Sequence, residues 1–156
     1  MKKIMVLMIV VLLTTSTTFA QNNTANSNTY KNAIGVKFYP GAVSFKHFFN
    51  PQAALELLGY LKNNGSRITA LYEIHGNIAN AGGLKWYLGP GAHVSFYSSK
   101  YGNGGSVGID GVAGLDYKVK SAPVNLSLDW QPSYDFKSTD GFISDWFGIA
   151  IRYTLN

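Results

Sequence analysis

Residues 145–155 read Asp-Trp-Phe-Gly-Ile-Ala-Ile-Arg-Tyr-Thr-Leu, and this stretch decides the fold. Large apolar residues at every second position alternate with small or polar ones, which is the period of a β-strand with two different faces. A strand at a sheet edge exposes unpaired backbone donors and acceptors, and nothing after Leu155 blunts this edge. We therefore expect this strand to pair with the first strand of the chain and to close a barrel.

The rest of the chain divides into segments of about ten residues separated by turn residues, the spacing expected of membrane barrel strands. The predicted strands are 30–39, 42–48, 52–62, 67–75, 84–97, 107–118, 124–131 and 145–155. Segment 52–62 is also rich in helix formers, with Pro51 suited to the first helical position. Strand count favours a strand there, because bacterial single-chain barrels carry an even number of strands.

The composition is that of an exported chain which tolerates apolar surface. Charged residues make up 13% and aromatic residues 14%, whereas soluble domains carry about 25% charged residues. There is no cysteine, so disulfides and thiolate metal sites are excluded. Without Lys2 and Lys3, 11 basic residues face 8 acidic ones and the formal net charge falls from +5 to +3. This small, dispersed charge predicts no nucleic-acid partner.

The first 20 residues have the pattern of a secretory signal peptide. Lys2 and Lys3 precede an apolar run at 4–13, and Ala20 is a small residue at a cleavage point. The run is too short to span a bilayer as a helix, which needs about 20 apolar residues. We expect a signal peptide at 1–20, a disordered polar leader at 21–29 and one barrel domain at 30–156.

Alternation alone does not say which face of the sheet points outward. A soluble lipocalin-like barrel would place its apolar set inside. An eight-stranded barrel, however, has room inside only for side chains or one small ligand, and the apolar set here is rich in Phe, Tyr and Trp. The opposite set carries many glycines and charges of both signs, which suit a narrow interior where charges pair. The sequence therefore predicts an all-β, eight-stranded antiparallel up-and-down transmembrane β-barrel with a polar, side-chain-filled lumen.

Two groups of side chains follow from this assignment. The predicted polar network of the lumen consists of Lys37, Lys46, Glu56, Glu73, His93, Asp110, Asp129 and Arg152. Two girdles of aromatic residues are expected where the barrel would cross the two membrane–water interfaces. Their predicted members are Phe38, Phe96 and Phe147 at the outer interface and Trp86, Tyr117 and Tyr153 at the inner one.

The chain resembles the small eight-stranded outer-membrane β-barrel proteins of Bacteroidetes-type bacteria, which are similar in shape to OmpX/OmpA-type barrels. The residues that carry this resemblance are Gly41-Ala-Val-Ser-Phe-Lys-His-Phe48, Gly83-Leu-Lys-Trp-Tyr-Leu-Gly-Pro-Gly-Ala-His-Val-Ser-Phe96, Gly108-Ile-Asp-Gly-Val-Ala-Gly-Leu-Asp-Tyr117, Pro123-Val-Asn-Leu-Ser-Leu-Asp-Trp130 and Ile151-Arg-Tyr-Thr-Leu155. The resemblance covers essentially all of the expected mature chain. It implies outer-membrane lipids, lipopolysaccharide and the barrel assembly machinery as partners.

Candidate catalytic residues are few. His93 and Ser95 stand two apart on one strand, the His-x-Ser pair that some outer-membrane lipid A deacylases use with a carboxylate. The predicted register points both into the lumen, away from lipid, so we expect a hydrogen-bonding role and no catalytic residue. The three histidines lie on different strands without metal-ligand spacing, and no phosphate loop is present. We expect no metal and no cofactor.

The sequence thus predicts a monomeric, non-enzymatic protein of the bacterial outer membrane, with a structural or surface-interaction role through its outer loops. The alternatives are a small pore, a lipid-modifying barrel enzyme similar to lipid A deacylases, and a soluble lipocalin-like binder.

Overall fold

The computed structural model describes residues 30–62, 65–97, 104–137 and 141–155. Within these ranges every regular element is a β-strand, and all neighbouring strands are antiparallel. The expected signal peptide and leader lie outside the described residues. The strands are β1 (Asn32–Phe38), β2 (Ala42–Asn50), β3 (Ala53–Lys62), β4 (Gly65–Asn77), β5 (Leu84–Tyr97), β6 (Gly104–Lys118), β7 (Val124–Trp130), β8 (Ser133–Asp135), β9 (Phe142–Ile143) and β10 (Phe147–Leu155).

The strands form a closed barrel in which each strand pairs with its neighbours in the chain. The order around the barrel is β5-β4-β3-β2-β1-β10-β7-β6, and β5 pairs with β6. The first and last strands meet along a seam that runs from Asn32 opposite Leu155 to Phe38 opposite Ile149. This seam is the closure that the terminal stretch predicts, and it removes the open sheet edges. The up-and-down barrel prediction is therefore confirmed.

Ten strand segments make eight barrel strands. β8 pairs with β6 in the same register as β7, so β7 and β8 are one barrel strand interrupted at Gln131 and Pro132. Pro132 has no N–H to donate to the ladder, but its carbonyl oxygen still accepts a hydrogen bond from the Gly111 N–H at 2.8 Å. β9 pairs with β8 and β10 pairs with β7, so these two segments likewise follow one another in a single barrel strand.

Segment 52–62 is a strand, so the strand prediction is confirmed and the helical alternative is wrong. β3 pairs over its length with β4 and also with β2. Helix propensity differs by only fractions of a kcal/mol per residue. Two flanking strands that satisfy every backbone group of the segment outweigh it.

The expected loops are shorter than the sequence suggests on one side of the molecule. The loop placed at 132–144 contains β8 and β9, and the loop placed at 98–106 ends where β6 begins at Gly104. Polar and glycine-rich composition predicts these loops. In the structure, parts of both segments pair with neighbouring strands: β8 pairs with β6 and β9, and Gly104 at the start of β6 pairs with Tyr97.

The two ends of the barrel differ. The terminal rim is the end where β1 begins and β10 ends, and its turns are short, with Pro51 and Gln52 forming the shortest. The loop rim is the opposite end, where β5 and β6 are longest and where β8 and β9 lie. The lengths of the connections do not divide the two ends, because 39–41 at the loop rim is shorter than 78–83 and 119–123 at the terminal rim.

The two faces of the strands are occupied by different classes of residue. Ile149, Leu126 and Val94 are 55%, 37% and 38% exposed on the outside of the barrel. Alternate residues on the same strands, such as Asn125 and Arg152, are fully buried. Thus the apolar set faces outward and the polar set faces the barrel interior.

Candidate functional site

The barrel interior holds the charged side chains of the strands. Lys46, Glu56, Glu73 and Arg152 are completely buried, and Lys37 is almost so. Each stands at an inward position because the strand alternates its side chains between the two faces. Such charges are tolerated away from water only where they pair and their remaining polar atoms are hydrogen-bonded.

Arg152 is the centre of the first interior cluster. Its guanidinium pairs with the Glu56 carboxylate and donates to Ser44 Oγ at 2.6 Å. It also donates to Asn125 Oδ1 at 3.2 Å and to Ser127 Oγ at 2.8 Å. One arginine therefore joins side chains from β2, β3, β7 and β10 across the lumen.

Lys46 is the centre of a second cluster that shares Glu56 with the first. The ammonium nitrogen lies 2.7 Å from Glu73, 3.7 Å from Glu56 and 3.5 Å from Asp116. It also lies 4.6 Å from the centre of the Tyr87 ring. Three carboxylates thus converge on one lysine, which ties β2 to β3, β4 and β6.

Lys37 organises the side of the interior nearer the loop rim. Its ammonium lies 2.6 Å from Asp129 and donates to Gln131 at 3.0 Å. The Tyr87 hydroxyl donates to the other oxygen of Asp129 at 2.8 Å, and the Tyr60 hydroxyl donates to Gln131 at 2.9 Å. The Lys37 and Lys46 clusters meet at Tyr87.

His93 and Asp110 lie at the loop rim. His93 Nδ1 is 2.7 Å from Asp110 Oδ2, and the Arg67 guanidinium pairs with Asp110 Oδ1. No hydrogen bond joins Ser95 Oγ to His93 among the contacts of these two described residues. The His-x-Ser spacing therefore does not produce a nucleophile–base pair here.

The terminal rim is filled by aromatic side chains. Tyr30 packs edge-on against Phe48 with ring centres 5.1 Å apart, and Phe48 lies 4.8 Å from the His75 ring. Burial raises the pKa of the Tyr30 phenol well above its usual range. The Lys85 ammonium donates to the Pro51 carbonyl at 3.2 Å and lies 5.8 Å from the centre of the Phe48 ring.

The predicted girdle residues are all exposed, and they fall at the two ends of the barrel. Phe38, Phe96 and Phe147 lie near the loop rim and are 53%, 53% and 57% exposed. The other three, Trp86, Tyr117 and Tyr153, lie near the terminal rim and are 36%, 37% and 54% exposed.

The structure brings the predicted lumen residues together in three groups. Glu56 and Arg152 meet Lys46 and Glu73, Lys37 meets Asp129, and His93 meets Asp110. Further members of these groups were not predicted. They are Ser44, Tyr60, Arg67, Tyr87, Asp116, Asn125, Ser127 and Gln131. Each of them stands at an inward position of the alternating strand pattern, and this pattern is the sequence signal by which they could have been predicted.

In the described ranges no group of three or more His, Asp or Glu side chains is arranged to hold a metal ion. No helix there is long and apolar enough to cross a membrane. Searches with family models, among curated proteins and among solved structures found no match to this chain. The architecture of the chain, a closed eight-stranded antiparallel barrel, is therefore established by its own strand pairing.

Proposed function

We propose that this chain is an integral protein of the bacterial outer membrane, exported through a cleaved signal peptide at 1–20 and inserted as a monomer. Its role is structural or depends on surface interactions at the loop rim, and it has no catalytic activity. Its partners are outer-membrane lipids, lipopolysaccharide and, during insertion, the barrel assembly machinery. We also propose that the chain is related to the small OmpX/OmpA-like barrels of Bacteroidetes-type bacteria, which its sequence resembles.

One observation carries the proposal. On the outward face of the described strands no Lys, Arg, Asp or Glu is present, while large apolar side chains are exposed on every barrel strand. Soluble monomers rarely expose contiguous apolar patches larger than a few hundred Å². Removing one apolar side chain fully from water is favourable by about 1.5–3 kcal/mol. Summed over the outer face, the transfer from water to lipid is therefore favourable by on the order of tens of kcal/mol.

The burial of the interior supports a closed lumen over a pore. Side chains that line a water-filled channel remain accessible to solvent, whereas Ser44, Lys46, Glu56, Thr69 and Arg152 are 0% exposed. A lipocalin-like binder would line its interior with apolar side chains, whereas the buried positions here include the paired charges of Lys46, Glu73 and Arg152. A lipid-modifying activity receives no support from Ser95, whose hydroxyl makes no hydrogen bond to His93 among the described contacts.

The proposal is tested by expressing the full chain in a Gram-negative host and separating the membranes. We expect the mature protein, beginning near Gln21, in the outer-membrane fraction. Membrane barrels that stay folded in SDS change their gel mobility on boiling, and this heat shift is the second expected result. Recovery of the chain in the aqueous fraction after detergent-free lysis would overturn the proposal and favour a soluble barrel.

A second measurement separates the roles that an outer-membrane barrel can have. In a planar bilayer we expect no steady ion conductance, and with the purified protein we expect no change in the mass of lipid A. A steady conductance would show that the protein acts as a pore and would contradict the proposed structural role. A lipid A mass shift that disappears in His93→Ala would replace it with an enzyme.

A further inference from the structure

One buried carboxylate of the interior lacks the partner that the others have. Six carboxylate side chains are buried in the described part of the chain, and five of them lie within 4.0 Å of a Lys or Arg nitrogen. Asp135 is the exception. It accepts hydrogen bonds from Ser106 Oγ at 2.5 Å and from the Lys137 backbone N–H at 2.9 Å. Neither of these donors carries a charge, and among the described residues no Lys or Arg nitrogen lies within 4.0 Å of the Asp135 carboxylate.

The basic atom that faces Asp135 is the Nε2 nitrogen of His93. His93 Nε2 lies 3.6 Å from Asp135 Oδ2, beyond hydrogen-bond distance, and it is buried without a hydrogen-bond partner. Its other ring nitrogen, Nδ1, lies 2.7 Å from Asp110 Oδ2. A carboxylate only accepts hydrogen bonds, so Nδ1 is the donor to Asp110, and in the neutral ring Nε2 then presents its lone pair to Asp135. A lone pair and a carboxylate oxygen that face each other repel unless a positive charge lies between them.

The local sheet geometry brings these two groups together. His93 on β5 pairs with Gly108 on β6, and Gly108 pairs with Asp135 on β8. All three positions point into the barrel, and a Cβ at Gly108 would collide with the imidazole of His93. The absence of a side chain at Gly108 therefore lets the His93 ring reach over β6 towards Asp135. Ser133, two residues before Asp135, also has a buried hydroxyl with no hydrogen-bond partner.

We propose that His93 Nε2 and the Asp135 carboxylate bind a divalent transition-metal ion, taken here as Zn²⁺, at the loop rim of the barrel. Imidazole nitrogen and carboxylate oxygen are ligands that Zn²⁺ uses. Ligands at about 2.0–2.2 Å in a tetrahedral site are roughly 3.3–3.5 Å apart, close to the 3.6 Å observed here. Water would fill the remaining coordination positions.

The surroundings match a metal site in a second respect. A histidine that ligates a metal usually donates its other ring N–H to a carboxylate, which fixes the tautomer and orients the ring. Asp110 does this for His93, and Asp110 is held in turn by Arg67 and by Gln131 Nε2 at 3.1 Å. Asp110 is thus a positioning residue for the proposed ligand.

The test is a Zn²⁺ titration of the untagged, ¹⁵N-labelled protein refolded in detergent micelles, with Mg²⁺ as the comparison ion. We expect one saturable Zn²⁺ site by calorimetry and a shift of the His93 Nε2 resonance, while Nδ1 keeps its proton. His93→Gln and Asp135→Asn should abolish this site. Asp110→Asn should weaken Zn²⁺ binding about 10- to 100-fold, the usual effect of removing such a carboxylate.

His75→Gln is the matched control. His75 is also buried with one unpaired ring nitrogen, Nδ1, but its Nε2 lies 3.0 Å from Glu73, which already pairs with Lys46. This variant should bind Zn²⁺ as the parent does. The gel heat shift shows for each variant whether the barrel has folded, and the titration of the parent protein is decisive if a variant fails to fold.

Three results would overturn the proposal. The first is a folded parent protein whose His93 Nε2 does not respond to Zn²⁺. The second is an Nε2 that already carries a proton at neutral pH in the presence of Zn²⁺, which would mean that an imidazolium bridges Asp110 and Asp135 in place of a metal. The third is equal Zn²⁺ binding by the parent and by His93→Gln, which would place the bound ion elsewhere.

Discussion

Replacing Ile151 with arginine tests directly whether lipid contacts the outer face of the barrel. Ile151 lies at the centre of β10 and is 46% exposed. Its neighbours across the two ladders are Val36 on β1 and Leu126 on β7, both exposed apolar residues. Position 151 is therefore at mid-depth of the apolar belt if the barrel spans a membrane.

The two readings of this surface predict different magnitudes. Arginine at the midplane of a membrane barrel costs about 2–4 kcal/mol, falling to about 0–1 kcal/mol near the interfaces. Leu155, at the terminal rim and 41% exposed, supplies the matched control. We expect Ile151→Arg to destabilise the barrel by about 2–3 kcal/mol more than Leu155→Arg. On a water-exposed surface, both changes would stay within about 0.5 kcal/mol.

The assay is urea unfolding of the refolded barrel in phospholipid vesicles, followed by tryptophan fluorescence and by the gel heat shift. With a denaturant slope of about 1–3 kcal/mol per M, the difference corresponds to a midpoint lowered by roughly 1–2 M. Equal midpoints for Ile151→Arg and Leu155→Arg would refute the reasoning. So would an Ile151→Arg protein that is more soluble and no less stable without lipid.

Three further predictions follow from the interior and the seam. Arg152→Ala should cost about 3–5 kcal/mol, because it leaves the buried Glu56 with only Lys46, which lies 3.7 Å away and also pairs with Glu73; in Arg152→Met/Glu56→Gln much of that loss should return, and strict additivity of the two single changes in urea unfolding would contradict the pairing. Gly35→Ala should destabilise the barrel by about 1–3 kcal/mol, since its Cβ would collide with the Ile151 carbonyl across the seam. Gly59→Ala, with nothing within 4 Å of its Cβ, should be neutral, and equal effects of the two glycine changes would count against a tight seam. Removal of Arg152 should also raise the bilayer conductance above that of the parent, and unchanged conductance would show that other side chains close the lumen.

The alternation of the sequence placed most of the strand residues, and the bulk of the apolar set then assigned that set to the outside of the barrel. Residues 145–155 predicted both the last strand and its pairing with the first, because period-2 patterning fixes which side chains share a face. The same rule assigned Glu56 to the inward set of a segment whose composition favours a helix. Strand existence and facing are thus properties that each segment carries by itself.

The partners within the lumen could not be predicted in the same way. Whether Lys46 meets Glu73 or Asp116 depends on the stagger of four strands relative to one another, and no single segment encodes that stagger. For the same reason His93 and Asp135, on strands that are not adjacent, were not expected to face each other. They meet because Gly108 stands between them, a contact that spacing along the chain does not reveal.

The seam between β1 and β10 determines when the molecule can become complete. Its pairs join positions such as Ile34 and Tyr153 that are separated by almost the entire barrel. Contacts of such sequence separation form slowly, because the loop they close must first lose its chain entropy. Until β10 pairs with β1, the barrel cannot close, and the aliphatic and aromatic side chains of the outer face do not form a continuous belt. Along the proposed export route, the unclosed chain would expose this apolar surface to water until its last strand pairs with its first.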